Sequence, residues 1–263
     1  PNAESYQLRV NDQGITIVAA DTAGAFYGVQ SLASLLTLPT LTIPYVDIAE
    51  QFLEIEQAVM SSVHHVLSSG KYILGEQVSL FEQQFSSLCD VKFSFGVANG
   101  TDALIIAMKA LDIGVGDEVI TPANSWISST SAIALCGATP VFADIKSDQL
   151  IDPVDIEQKI TPNTKAIMPV HLMGKMADMQ AIMSLAKKYN LYVIEDAAQA
   201  VGAKVGEQKA GAIGDFGCFS LHPLKNLNAA GDAGVIITNS EYLAEKIQLL
   251  RHHGLVSRNE VKY

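Results

Sequence analysis

Residues 214–234 read GDFGCFSLHPLKNLNAAGDAG. An apolar run at 216–221 leads into a short polar loop, and a second run at 235–238 leads out of it. Lys225 stands in the loop among Ser220, His222, Pro223, Asn226, Asn228 and Gly231. Between Asp215 and Asp232 it is the only charged residue unless His222 is protonated. A lysine shielded from water and from other charges gives up its proton more readily than a solvated one and becomes a nucleophilic amine. Such an amine suits a Schiff base with a carbonyl cofactor. The alternative is a lysine that merely happens to lie in an apolar loop.

The two flanking runs belong to a longer series. Strands are predicted at 93–97, 118–121, 139–143, 166–169, 191–195, 217–221 and 234–238. Helices are predicted at 49–68, 77–88, 99–110, 128–136, 153–159, 176–189 and 240–252. Apolar strands alternating with helices predict an α/β fold, with a mainly parallel seven-stranded sheet and crossover helices. Gly70 ends the first of these helices.

Residues 1–40 differ in character and are expected to form a separate β-β-α segment with a linker, leaving 41–263 as the large domain. A strand at 6–10, the turn Asn11-Asp12-Gln13-Gly14 and a strand at 15–19 come first. A helix at 23–36 follows, with Phe26, Val29, Leu32, Leu35 and Leu36 on one face and Pro39 beyond its end. The wording ESYQLRV…GITIVAADTAGAFYGVQSLASLL resembles the small domain that precedes the catalytic barrel in family 20 β-N-acetylhexosaminidases. No catalytic carboxylate motif of that family follows, so no glycosidase activity is inferred.

The 263 residues are 49% hydrophobic and 17% charged, with a net charge of −11. That composition fits a chain with a sizeable core, and the negative charge argues against nucleic-acid binding. The three cysteines, Cys89, Cys136 and Cys218, have neither metal-ligand nor disulfide-framework spacing, which points to a reducing compartment. With no leader-like start and no apolar run of membrane-spanning length, the expected location is cytoplasmic, away from membranes. The last polar residues, 257–262, read as though a further domain followed.

Three places carry candidate chemistry, all where a strand runs into a helix or loop, as in ligand sites of open α/β sheets. At Ala98-Asn99-Gly100-Thr101 the free N–H groups of a helix start, with the Thr101 hydroxyl, suit a phosphate; ordinary capping by Asn99 or Thr101 is the simpler reading. At Val193-Ile194-Glu195-Asp196 an apolar strand ends in two acids. Asp196 could hold a protonated pyridine nitrogen, ligate a metal or simply cap a helix, although no second acid cluster supports a metal. The third place is Lys225, with Ser220 able to share the phosphate. Trp126, the only tryptophan, could stack on a flat ring or pack in the core. The loop His171-Leu172-Met173-Gly174 is a weaker candidate for contact with the ring or substrate. Together these supply what pyridoxal 5′-phosphate (PLP) requires.

From residue 43 to 263 the chain resembles the sugar aminotransferases of the DegT/DnrJ/StrS family. The resemblance is carried by VANGTDAL, GDEVITPANSW, VHLMGKMADM, VIEDAAQAVGA, GDFGCFSLHPLKNLNAAGDAGVI and LLRHHGL, in the family's order and spacing. It implies a fold-type I, aspartate-aminotransferase-like large domain that uses PLP. It further implies that Lys225 is the Schiff-base lysine and that Asp196 binds the pyridine nitrogen. Gln199 would lie by the ring and its phenolic oxygen, and Trp126 would stack on the ring. Gly100, Thr101 and Ser220 would hold the phosphate, with no metal involved. The implied reaction is ping-pong transamination, in which an amino group passes from an amino acid, usually glutamate, to a ketone on a nucleotide-linked sugar. A lysine at 225, where some members carry histidine and act as dehydratases, favours transamination. The implied setting is polysaccharide or amino-sugar biosynthesis, by a homodimer. Family members carry a further C-terminal small domain, so the alternative is a truncated or fused noncatalytic protein that keeps the fold and the cofactor. Ala233 stands where a second glycine is common.

Overall fold

The computed structural model describes residues 6–11, 14–19, 29, 46–257 and 260–262. It divides into two compact units, 1–54 and 55–263. In the first, β1 (Tyr6–Asn11) and β2 (Gly14–Ala19) pair antiparallel, with Tyr6 opposite Ala19 and Asn11 opposite Gly14. Apart from Val29, the helix predicted at 23–36 lies outside the described residues, as do Pro39 and Pro44. Helix α1 (Ile48–Ser69) has no buried residue.

The second unit continues with α2 (Glu76–Cys89), β3 (Phe93–Val97), α3 (Gly100–Ala110), β4 (Glu118–Pro122), α4 (Ile127–Leu135) and β5 (Thr139–Ala143). Next come α5 (Pro153–Lys159), β6 (Thr164–Ile167), α6 (Met179–Tyr189) and β7 (Tyr192–Asp196). A small hairpin, β8 (Lys204–Val205) with β9 (Gln208–Lys209), leads to β10 (Phe216–Ser220), β11 (Gly234–Thr238) and α7 (Glu241–Leu250). A second hairpin joins β12 (Leu255–Ser257) and β13 (Glu260–Val261). Neither hairpin is foreseen by the sequence, because strands of two or three residues leave no apolar periodicity to read.

The main sheet has seven strands in the order β3-β11-β10-β7-β6-β4-β5. Every neighbouring pair is parallel except those of β11, which runs antiparallel to both β10 and β3. The predicted strand at 166–169 begins earlier, at Thr164. The helix predicted from 176 starts at Met179, because Asp178 caps it by accepting the Ala181 N–H.

Strand side chains alternate between two cores. Ile194, Phe216, Cys218 and Ile236 join α3, α4 and α7 on one face, through Leu104, Met108, Ile133 and Ile247. Val193, Phe219, Val235 and Ile237 join α2, α5 and α6 on the other, through Phe85, Ile156 and Ile182. Burial on both faces explains why these strands read as unbroken apolar runs. Because β3 and β10 are both antiparallel to β11, they share a direction. The carboxyl ends of β3, β4, β7 and β10 therefore open at one edge, and the functional loops leave from there.

Candidate functional site

Asn99, after β3, starts the site. Its carboxamide oxygen accepts the Asp102 N–H at 2.8 Å, so it does cap α3. Capping leaves the Gly100 and Thr101 N–H groups, which have no partner inside the helix, for another acceptor. The Thr101 hydroxyl is turned aside to Ser128, at 2.9 Å. Gly100 is required by contact: a Cβ there would meet the Ser220 Cβ at 2.7 Å. Ser220, at the end of β10, is thereby pressed against the start of α3. Gly234 lies beneath the same turn, where a Cβ would meet the Asn99 carbonyl oxygen at 2.3 Å. Gly234→Ala should therefore cost about 1–3 kcal/mol of stability, measured as a lower unfolding temperature, and displace the Asn99–Gly100 turn.

Asp196 closes β7. Its N–H donates to the Pro169 carbonyl and its carbonyl accepts the His171 N–H, so the segment that follows β6 fixes its backbone. The residue is 5% exposed. One carboxylate oxygen accepts the Ser129 hydroxyl at 2.7 Å and the other accepts the Ala198 N–H at 3.2 Å. Burial pushes the carboxyl above its ordinary value; those two bonds, with His171 and Lys225 nearby, pull it back down.

Lys225 lies in the loop between β10 and β11. Its N–H donates to the His222 carbonyl at 2.8 Å, and Asn226 ties the loop to the Val201 carbonyl at 2.8 Å. The residue is half-buried, so the shielding expected from its uncharged surroundings is partial. Gln199 gives its carboxamide oxygen to the Met173 N–H at 2.6 Å, which leaves the NH2 group as its free donor. Trp126 is 73% exposed, which removes the core-packing alternative.

Gly100, Thr101, Trp126, Asp196, Gln199, Ser220 and Lys225 all line one cavity of about 590 Å³. Among the described residues lining it, Lys225 is the only lysine or arginine, and Asp102, Asp196 and Asp232 are the acids. Neither His171 nor the residues at 172–174 line it. His171 is fully buried and bonds Glu195 at 2.8 Å through Nε2. Its Nδ1 accepts the Ala177 N–H, so Nε2 carries the proton. Glu195 also accepts N–H groups from Gly211, Ile213 and Gly214. The pair locks loops behind the site, and this corrects the expectation of ligand contact from His171. Ser128 and Ser129, which hold Thr101 and Asp196, were missed. The one signal for them was a cluster of hydroxyls, SWISSTS, at the start of an otherwise apolar helix. Among the described residues no group of three or more His, Cys, Asp or Glu could hold a metal ion.

Residues 53–263 match the DegT/DnrJ/EryC1/StrS aminotransferase family, and residues 1–51 match domain 2 of glycosyl hydrolase family 20. A dTDP-3-amino-3,6-dideoxy-α-D-galactopyranose transaminase of Aneurinibacillus thermoaerophilus is 49% identical over 81% of the chain and 59% of its own length. A UDP-N-acetyl-3-dehydro-α-D-glucosamine 3-aminotransferase of Acidithiobacillus ferrooxidans is 45% identical over 81% of the chain and 58% of its own length. The chain thus spans less than two thirds of these curated relatives. The solved structure of S. venezuelae DesV in complex with a ketimine intermediate superposes with a TM-score of 0.81 at 38% identity, over 84% of this chain and 60% of that one. NtdA of Bacillus subtilis with bound cofactor PMP gives 0.79 at 34% identity, over 86% and 52%. The fold is that of the fold-type I, aspartate-aminotransferase-like enzymes. By sequence and by fold, the chain belongs to the DegT/DnrJ/EryC1/StrS aminotransferase family.

Proposed function

We propose that this chain binds PLP and transfers an amino group from an amino acid, glutamate, to the ketone of a nucleotide-linked sugar. Its place is polysaccharide or amino-sugar biosynthesis, and it works as a cytoplasmic homodimer. Residues 41–263 form the aminotransferase large domain, and 1–40 a separate appended segment. The observation that carries this reading is convergence: seven residues from separate parts of the chain line one cavity whose lining includes a nearly buried acid.

The residues present fit PLP. The helix start at Gly100 and Thr101, against Ser220, supplies N–H groups and a hydroxyl for the phosphate. Asp196 is a carboxyl that burial disfavours as an anion, and a cationic ring nitrogen beside it would offset that cost. Trp126 offers an exposed indole face for the ring, and the Gln199 NH2 can donate to the phenolic oxygen. PLP, when bound, supplies an aldehyde that captures amines and a pyridinium that draws electrons from the adjacent carbon. The Lys225 amine would hold the cofactor covalently and, as a free amine, would take the proton from the donor Cα. Asp196 would keep the proton on the ring nitrogen.

In the test, the PLP-loaded protein meets glutamate and then a panel of keto-sugar nucleotides. The expected result is 2-oxoglutarate in the first step and an amino-sugar nucleotide, identified by mass, in the second. PLP binding with neither product would support instead a noncatalytic protein that keeps the fold and the cofactor.

A further inference from the structure

Asp196 is held by a serine that does not itself line the cavity. Ser129 is fully buried in the first turn of α4, and its hydroxyl donates to the Asp196 carboxylate at 2.7 Å. The other carboxylate oxygen has the longer Ala198 N–H bond, at 3.2 Å. The Ser129 and Ser125 hydroxyls lie 2.8 Å apart. With its single proton committed to the carboxylate, Ser129 accepts from Ser125, so both bonds point toward Asp196. Ser125 lines the cavity, so the chain runs from the cavity wall to the buried acid. Trp126 lies within the same turn, and Ser128 bonds Thr101. The five residues at 125–129 therefore connect the acid, the aromatic face and the helix start.

We propose that Ser129, backed by Ser125, is a positioning residue that holds the Asp196 carboxylate charged and aimed at the cofactor's ring nitrogen. The inference rests on the PLP reading above. A buried carboxylate keeps its charge only where hydrogen bonds replace lost water, and bonds to a charged acceptor are stronger than neutral ones. Ser129 provides the shorter of the two side-chain bonds. The titratable groups around Asp196 are Lys225 in the loop after β10, His171 after β6, Cys218 on β10 and Glu195 beside it on β7. From the α4 turn, the Ser129 hydroxyl meets it directly and the Ser125 hydroxyl through Ser129.

Burial already raises the Asp196 carboxyl, and losing a bond to its charged form raises it further. Binding a cationic ring needs the charged form, so PLP affinity falls as pH drops through that value. The experiment measures PLP affinity against pH for the wild type, Ser129→Ala, Ser129→Thr and Asp196→Asn, with unfolding of each cofactor-free protein as a check on folding. In Ser129→Ala the acid limb should move about one pH unit upward, which is roughly tenfold weaker binding within the limb and convergence with the wild type above it. Ser129→Thr, which keeps the hydroxyl, should restore the wild-type limb, and Asp196→Asn should lack the limb. A Ser129→Ala limb that coincides with the wild type would overturn the inference while leaving the PLP reading intact. So would a Ser129→Thr limb that stays displaced in a folded protein. A wild type that binds no PLP would overturn both.

Discussion

Lys225→Ala should abolish covalent retention of PLP and slow amine transfer by at least ~10⁴-fold, because the nucleophile and the proton carrier are lost together. The fold should survive. Lys225 is half-buried in a loop held by Asn226 and Asn228, and no hydrogen bond of its side chain holds that loop together. The variant should therefore unfold at the wild-type temperature when free of cofactor. It should still bind PLP reversibly, through the helix start, Trp126 and Asp196. Absorbance after desalting separates the two forms of binding: the wild type stays coloured and the variant bleaches.

Asp196→Asn should slow transfer by about 10²- to 10³-fold, the usual loss when a preorganised charge facing the reacting system is removed. Its effect on stability has the opposite sign. The Asp196 carboxyl lies above its ordinary value in the folded protein, so the folded chain holds that proton more tightly than the unfolded chain. The contribution to stability is present at low pH and declines as pH rises from the unfolded value through the folded one. At neutral pH a buried carboxylate without its cation is a cost, and an uncharged asparagine relieves it. The cofactor-free variant should unfold at or above the wild-type temperature at pH 7. A residue that stabilises the protein when replaced and disables it at the same time is placed for function.

The sheet was legible because its central strands are buried on both faces, so 191–195, 217–221 and 234–238 announce themselves as apolar runs. Asp196 and Lys225 were legible as charges at the ends of such runs. The serines that hold Asp196 and Thr101 were not, since a hydroxyl in a helix start reads as capping whether or not it faces an acid 67 positions away. His171 misled for the converse reason. A histidine after a strand suggests a ligand, and only the fold shows that Glu195, on the next strand, accepts its Nε2–H. Gly234 reads as an ordinary strand residue until the Asn99 turn is laid over it.

The most direct test is the site of covalent attachment. The PLP-loaded wild type is reduced with borohydride, digested and mapped by mass spectrometry. The expected result is a single phosphopyridoxyl group on Lys225. A protein that binds PLP but carries the group on another lysine, or on none, would contradict the account.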